Sequence, residues 1–373
     1  MQVARCRSRV STGGGRLTAV ATVETDSRSG AAPPSGAATS PRPTLIPQRP
    51  EAERRRVRRR SALRKSGIVL LLLSPWIIGF IVFTGGPMVI SFFWSFTHYD
   101  MASAPRWIGL ENYKFMFGIG KINGLHRADP YYWQSVKNTL FIIVFGVPLR
   151  VVFAMLTAML LTRPKRGVNT YRTLFFMPYM APRVAAALVF VYLLNPTTGP
   201  VNLLLNHIPG VTAPLWFYDP TWAKPALLIM GLWGIGDAIV IYLAGLLSVP
   251  RELYEAIAIE GANAWQRFRH VTLPLITPVI FFTIVMGVID GFQYFDQAFV
   301  AGNVASGQTS VLGSPQNSLL FYSIYLYQWA FRNFDMGYAA AMAWVLFAAT
   351  MVVTAVLLLT SRRWVHYGGG GNQ

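Results

Sequence analysis

The chain has 373 residues, of which 53% are hydrophobic and only 13% charged, with a mean hydropathy of +0.40 and a formal net charge of +18. A soluble domain of this size carries about a quarter charged residues, so the composition excludes an ordinary soluble enzyme and indicates a membrane protein. The single cysteine, Cys6, excludes an intrachain disulfide and leaves no thiolate metal site.

Residues 1–50 are rich in Ser, Gly, Ala, Pro and Arg without apolar periodicity and are expected to be disordered. The first 65 residues hold 15 Lys and Arg against 4 Asp and Glu, so most of the excess charge lies there. Its centre is the run from Arg54 to Arg60 within the basic segment 51–66. Nucleic acid could bind such a run, but a cluster beside the first apolar segment suits a cytoplasmic anchor, held by anionic headgroups and resisting translocation. No apolar core of a cleavable signal precedes residue 66.

Apolar segments of spanning length follow at about 67–97, 135–161, 172–194, 222–248, 273–298 and 338–360. The expected fold is therefore an all-α membrane protein with six transmembrane helices over 67–365 and a flexible tail at 366–373. Arg163, Lys165, Arg166, Arg172, Arg251, Arg267, Arg269, Arg362 and Arg363 fall on the side of the N-terminal basic run, whereas Arg106, Lys114, Lys121, Arg127, Lys224 and Arg332 fall on the other. That bias predicts cytoplasmic N- and C-termini. The outer loops are expected at 98–134, 195–221 and 299–336, the last with a mobile Ala305–Ser310 stretch and a short aromatic helix, Tyr322 to Phe331, lying on the bilayer.

The cytoplasmic segment 249–273 is polar, short and structured. Glu252 and Glu255 sit in the first turns of a helix, where carboxylates offset the N-terminal dipole. Ala256, Ala258 and Ala262 permit close approach by a partner. Gly261 allows a left-handed turn, and Asn263 can cap a second helix whose Trp265, Phe268 and Val271 make an apolar face. Pro274 suits the first turn of the fifth span. The other reading, a loop folding back on its own bundle, leaves the outward Glu and Arg residues without a role. No Walker P-loop, H-E-x-x-H or G-x-S-x-G pattern occurs, so catalysis by this chain alone is not expected, nor is a metal.

Glu255-Ala256-x-Ala258-x-Glu260-Gly261-Ala262, followed by Phe268 and Thr272-Leu273-Pro274, resembles the EAA loop of permease subunits in binding-protein-dependent ABC importers. Ile257 and Glu260 are mild departures from the usual Glu-Ala-Ala and Asp-Gly. Trp94-Ser95-Phe96, Gly109 to Tyr113, Asn138-Thr139, Asn195-Pro196 with Gly199 and Asn202, Tyr242 to Leu246 and Gly337 to Ala341 are similar to the maltose- and glycerol-phosphate-type branch, and the likeness covers about 67–365. Ala301-Gly302-Asn303-Val304 departs from the Thr-Gly-Gly-Pro often found there. The resemblance implies the type I importer permease fold in a bacterial or archaeal cell membrane. It implies a sugar as cargo, a second permease, two cytoplasmic ATPase subunits carrying ATP and Mg, and an extracytoplasmic binding protein or lipoprotein. It places Glu255, Ala256, Ala258, Glu260, Gly261, Ala262, Phe268, Leu273 and Pro274 in the element that couples to the ATPase.

Arg150, Arg183, Asp237 and Asp290 fall inside predicted spans, with Asp296 near an outer end. Each costs about 2.5–3.5 kcal/mol at a helix centre, so each should face protein or water. Two readings stay open: a polar substrate path, or internal ion pairs that only hold helices together. For the path, Gly287, Asp290, Gly291 and Tyr294 share one helical face and Trp233, Gly234 and Asp237 form a similar patch. The glycines would equally admit a neighbouring helix. A secondary transporter or channel using these buried charges is the alternative function.

Overall fold

The computed structural model of the protein describes residues 69–119, 121–122, 125–126, 128–163, 166–210, 212–307 and 313–365. The N-terminal extension, the basic segment 51–66 and the tail 366–373 lie outside the described residues. In chain order the helices are α1 (Val69–Trp94), α2 (Glu111–Phe117), α3 (Tyr132–Leu161), α4 (Val168–Met180), α5 (Arg183–Leu193), α6 (Pro200–Leu205) and α7 (Pro220–Trp233). They continue with α8 (Gly236–Leu247), α9 (Arg251–Ile259), α10 (Ala264–Leu275), α11 (Thr277–Phe292), α12 (Asp296–Ser306), α13 (Tyr322–Phe331) and α14 (Met336–Ser361). Two-residue strands β1 (Thr97–His98) and β2 (Arg106–Trp107) pair antiparallel beyond α1.

Among the described residues only α1, α3 and α14 are single helices long and apolar enough to cross a bilayer. The other three expected spans are bent pairs among the described residues: α4–α5 by 97°, α7–α8 by 51° and α10–α11 by 65°. The causes are local. Pro182 precedes α5 with extended backbone, Gly234 ends α7, and Ile276 separates α10 from Pro278 in the first turn of α11. Such breaks free backbone polar groups at membrane depth, where they are tolerated only against protein or a wet cavity.

Proline also explains three π-helical turns, at Ile81–Gly85, Ile142–Gly146 and Phe268–Thr272. Each ends two residues before a proline: Pro87, Pro148 and Pro274. A proline has no N–H to donate and its ring collides with the carbonyl four residues back; widening the preceding turn relieves both. Pro274 therefore does not open the fifth span as expected. It closes α10, and Pro278 opens α11.

Three further expectations change. The fifth span ends at Phe292 rather than 298, because Gln293–Phe295 break the chain and Asp296 starts the separate helix α12. The stretch after 299 is helical to Ser306, so the expected mobile segment is helical at Ala305 and Ser306, while residues 308–312 lie outside the described residues. Helix α13 is not peripheral to the bundle but packs into its core. Tyr322, Ile324, Tyr325 and Ala330 are buried in the core shared with Tyr132, Tyr338 and Met342.

Several polar residues clasp the loops to the helices. Asn112 donates to the carbonyls of Ser95 and Thr97, both at 3.0 Å. Asn138 donates to those of Asn317 and Leu320, both at 2.9 Å, and the Tyr322 N–H donates to Thr139. Asn202 binds the Pro214 carbonyl at 3.1 Å and accepts from the Trp216 indole. Gly337 approaches so closely that a Cβ there would lie 2.1 Å from the Thr97 carbonyl oxygen.

Asp129 ties three elements together. Its side chain accepts from the backbone N–H groups of Tyr131 and Tyr132 at 3.0 and 3.1 Å, from the Tyr338 hydroxyl at 2.5 Å and from the Tyr325 hydroxyl. Burial, then the bond to Asp129, pushes the Tyr325 phenol above its ordinary pKa and keeps it a donor. Leaving buried donors without an acceptor costs about 1–3 kcal/mol each. Asp129→Ala is therefore expected to lower the midpoint of thermal aggregation in detergent well below that of the parent, with Tyr338→Phe milder. An unchanged midpoint for Asp129→Ala would contradict this role.

Candidate functional site

Four charged side chains from four helices meet beside the bends. Arg150 of α3 reaches Asp237, in the first turn of α8, at 2.5 Å. The same guanidinium lies 3.7 Å from Asp290 of α11, and Arg183, the first residue of α5, lies 3.6 Å from the other oxygen of Asp290. Arg150 and Asp237 are about two-thirds buried, whereas Asp290 and Arg183 have side chains 48% and 57% exposed. The inner pair is thus a direct hydrogen bond between shielded groups, and the outer pairs are looser contacts facing open space.

That space is a cavity of about 160 Å³ lined by Arg150, Arg183, Trp233, Gly234, Gly291 and Tyr294 among others. A second cavity of about 240 Å³ includes Asp237, Tyr242, Thr283 and Gln293, and both share Arg150, Arg183, Gly287 and Asp290. The structure therefore brings Trp233, Gly234, Asp237, Gly287, Asp290, Gly291 and Tyr294 to one connected lining. Trp233 meets Phe190 edge-on at 5.6 Å, and Tyr294 meets Phe321 at 5.3 Å. The glycines also admit neighbours. A Cβ at Gly291 would lie 2.8 Å from Ile143, one at Gly287 3.1 Å from Val147, and one at Gly236 2.9 Å from the Phe175 carbonyl. The charges pair with one another and also line a cavity, so the ion pairs do not by themselves exclude a polar path.

The second assembly is the elbow formed by α9 and α10. Helix α9 ends at Ile259, and the chain turns at Gly261, whose φ of +81° suits glycine. The N–H groups of Gly261 and Ala262 return to the carbonyls of Ala258 and Ile257, both at 3.1 Å. Asn263 and Gln266 form a reciprocal capping box at 2.9 and 2.7 Å. Tyr254 and Thr272 share a hydrogen bond of 2.9 Å that joins the two helices. Glu255, Ala256, Ala258, Glu260 and Gly261 are exposed, and Ala262, Phe268, Leu273 and Pro274 are half-buried. Ile259 and Trp265 are apolar yet 88% and 64% exposed. The expected apolar face is split: Val271 is buried, Phe268 half-buried and Trp265 open.

Residues 137–366 match the family described as the binding-protein-dependent transport system inner membrane component. The chain belongs to this family. It is 40% identical over 308 residues to the probable ABC transporter permease protein YesP of Bacillus subtilis (strain 168), covering 82% of this chain and 94% of that protein. It is 33% identical over 238 residues to the lactose transport system permease protein LacF of Rhizobium radiobacter, covering 63% and 77%. The fold matches that of a bacterial ABC transporter involved in the import of alginate, with a TM-score of 0.66 at 23% identity, covering 82% of this chain and 99% of that one.

In this permease the sequence singled out the charges and glycines of the cavity but missed Pro178, Tyr179 and Gln297 in its lining. It also missed Asp129. The cavity residues it missed carry no charge to mark them, and Asp129 had no signal beyond its place in Asp-Pro before an aromatic helix start.

The inner pair makes a measurable claim. Arg150→Met and Asp237→Leu should each destabilise the detergent-solubilised permease, while the double variant recovers part of the loss, with a coupling energy of about 1–2 kcal/mol. Additive effects in that cycle would show that the pair does not act as a unit.

Proposed function

We propose that this permease is one half of the translocation path of an ATP-driven sugar importer, set in the cell membrane with both termini in the cytoplasm. The observation that carries the reading is continuity. The exposed elbow α9–α10 runs through a single bend into α11, and α11 carries Gly287, Asp290 and Gly291 to the cavity. Movement imposed on the elbow is delivered to the cavity wall without an intervening loop.

The chemistry of the wall suits a sugar. Carboxylate oxygens of Asp290 can accept hydroxyl hydrogen bonds, Arg183 can donate, and Trp233, Tyr179 and Tyr294 offer apolar planes. Relatives are named for lactose and for arabinooligosaccharides. Lysine and arginine are richer on the elbow side, which supports a cytoplasmic elbow.

On this reading Glu255 and the surface around Gly261 meet one of two ATPase subunits, which hold ATP and Mg. Exposed Ile259 and Trp265 supply the apolar part of that contact. A second permease completes the path, and an extracytoplasmic binding protein delivers cargo to the opposite face. Closure of the ATPases would move each elbow and swing the spans between inward and outward access. A secondary transporter would need no such elbow.

Gly261→Pro removes the N–H bonded to Ala258 and forbids the positive φ. ATP-dependent uptake of the cognate sugar should fall more than about tenfold, equivalent to about 1.4 kcal/mol, with membrane abundance unchanged. Glu255→Lys should lower uptake less. Parental uptake by Gly261→Pro would overturn the coupling assignment.

A further inference from the structure

Lys224 is a cation that the cavity network leaves without a counter-charge. It stands in the second turn of α7, inside a bent membrane span, half-buried, with its ammonium 5.3 Å from the centre of the Phe141 ring. Among the described residues no carboxylate forms an ion pair with it. Asp219, the carboxylate nearest to it along the chain, is engaged in capping α7, accepting from the Thr221 N–H at 2.6 Å. The Phe141 ring face offsets only part of the cost of half-burying this ammonium, which leaves it open to an anionic partner from outside the chain.

Its position says where that partner arrives. Lys224, Leu228 and Gly231 follow i, i+4, i+7 spacing and share a face of α7, and Leu228 and Gly231 line the first cavity. On α3, Phe141, Phe145 and Leu149 are spaced i, i+4, i+8 across the π-helical turn, with Leu149 in the same lining. The Phe141 and Phe145 rings lie 4.8 Å apart, and Phe145 is exposed. Lys224 and these two rings therefore stand about one helical turn from the lining, towards the ends of α3 and α7 remote from Arg150 and Trp233. Deeper in, two arginines and two aspartates neutralise one another.

We infer that Lys224 reads a negative charge on the transported saccharide, a carboxylate or a phosphate, as it enters the cavity, while Phe141 and Phe145 supply planes for its ring. A neutral sugar would gain little from an ammonium at this point. The inference rests on the cavity being a sugar path and deepens that reading by naming the class of cargo.

The test uses the strain of origin with this permease gene deleted, grown on a panel of neutral, carboxylate-bearing and phosphorylated saccharides as sole carbon sources. The deletion should abolish growth on one or more charged saccharides, and the parental gene should restore it. With the lost saccharide as probe, Lys224→Met should raise the KM of uptake about tenfold, the loss of a charge-assisted contact, at unchanged membrane abundance, while Lys224→Arg stays near the parent. Loss of growth on neutral saccharides alone would overturn this inference and leave the sugar path standing. Loss of no saccharide would overturn both. A Lys224→Met variant that transports with parental KM would overturn this inference, and so would poor accumulation of Lys224→Met and Lys224→Arg alike, which would make Lys224 a packing residue.

Discussion

The permease depends on keeping four charges inside membrane-spanning segments. Each would cost about 2.5–3.5 kcal/mol if it faced lipid, and the architecture meets that demand by bending two spans so that Arg183 and Asp237 start new helices beside Arg150 and Asp290. The bends in turn expose backbone that has to be satisfied by neighbours or water. Gly236 against Phe175 and Gly291 against Ile143 bring the helices close enough for the network to form. Helix breaks, glycines and charges are one device.

Within that device the pairs differ in kind. Arg150 and Asp237 are in direct contact and shielded, whereas Asp290 sits 3.6–3.7 Å from both arginines and stays about half exposed. Exposed pairs of this kind contribute little to stability, about 0–1 kcal/mol. The inner pair holds helices in place, and the outer carboxylate remains available to a hydroxyl. Around it the buried Asp129 hub and the asparagine clasps fix the loops at the other end of α3, so the bent helices work against a rigid frame.

Much of this was legible in the sequence, and the exceptions have physical reasons. Apolar length located the spans, and the glycine at 261 with Asn263 located the elbow, because caps and positive φ are local chemistry. Bends at Ala181–Pro182 and Gly234 were not visible, since hydropathy integrates over a window and is blind to direction. Pro274 misled because a proline near a helix start and a proline tolerated by a π-turn look alike in one dimension. The aromatic helix α13 read as interfacial because much of its burial is supplied by α3, far away in the chain, and by α14 folding back against it. Asp129 escaped notice because its four bonds come from residues as much as 209 positions away.

On the proposed function the elbow is a cytoplasmic docking surface continuous with the cavity wall. Cysteine accessibility at its tip tests this most directly. Cys6, the one native cysteine, is replaced by serine, and Ile259→Cys is introduced at a position 88% exposed. In inside-out membrane vesicles stripped of the ATPase, a membrane-impermeant maleimide should label Cys at 259, and rebinding the ATPase subunit should protect it. Labelling from the outer face of intact cells, or labelling unaffected by the ATPase, would contradict the account.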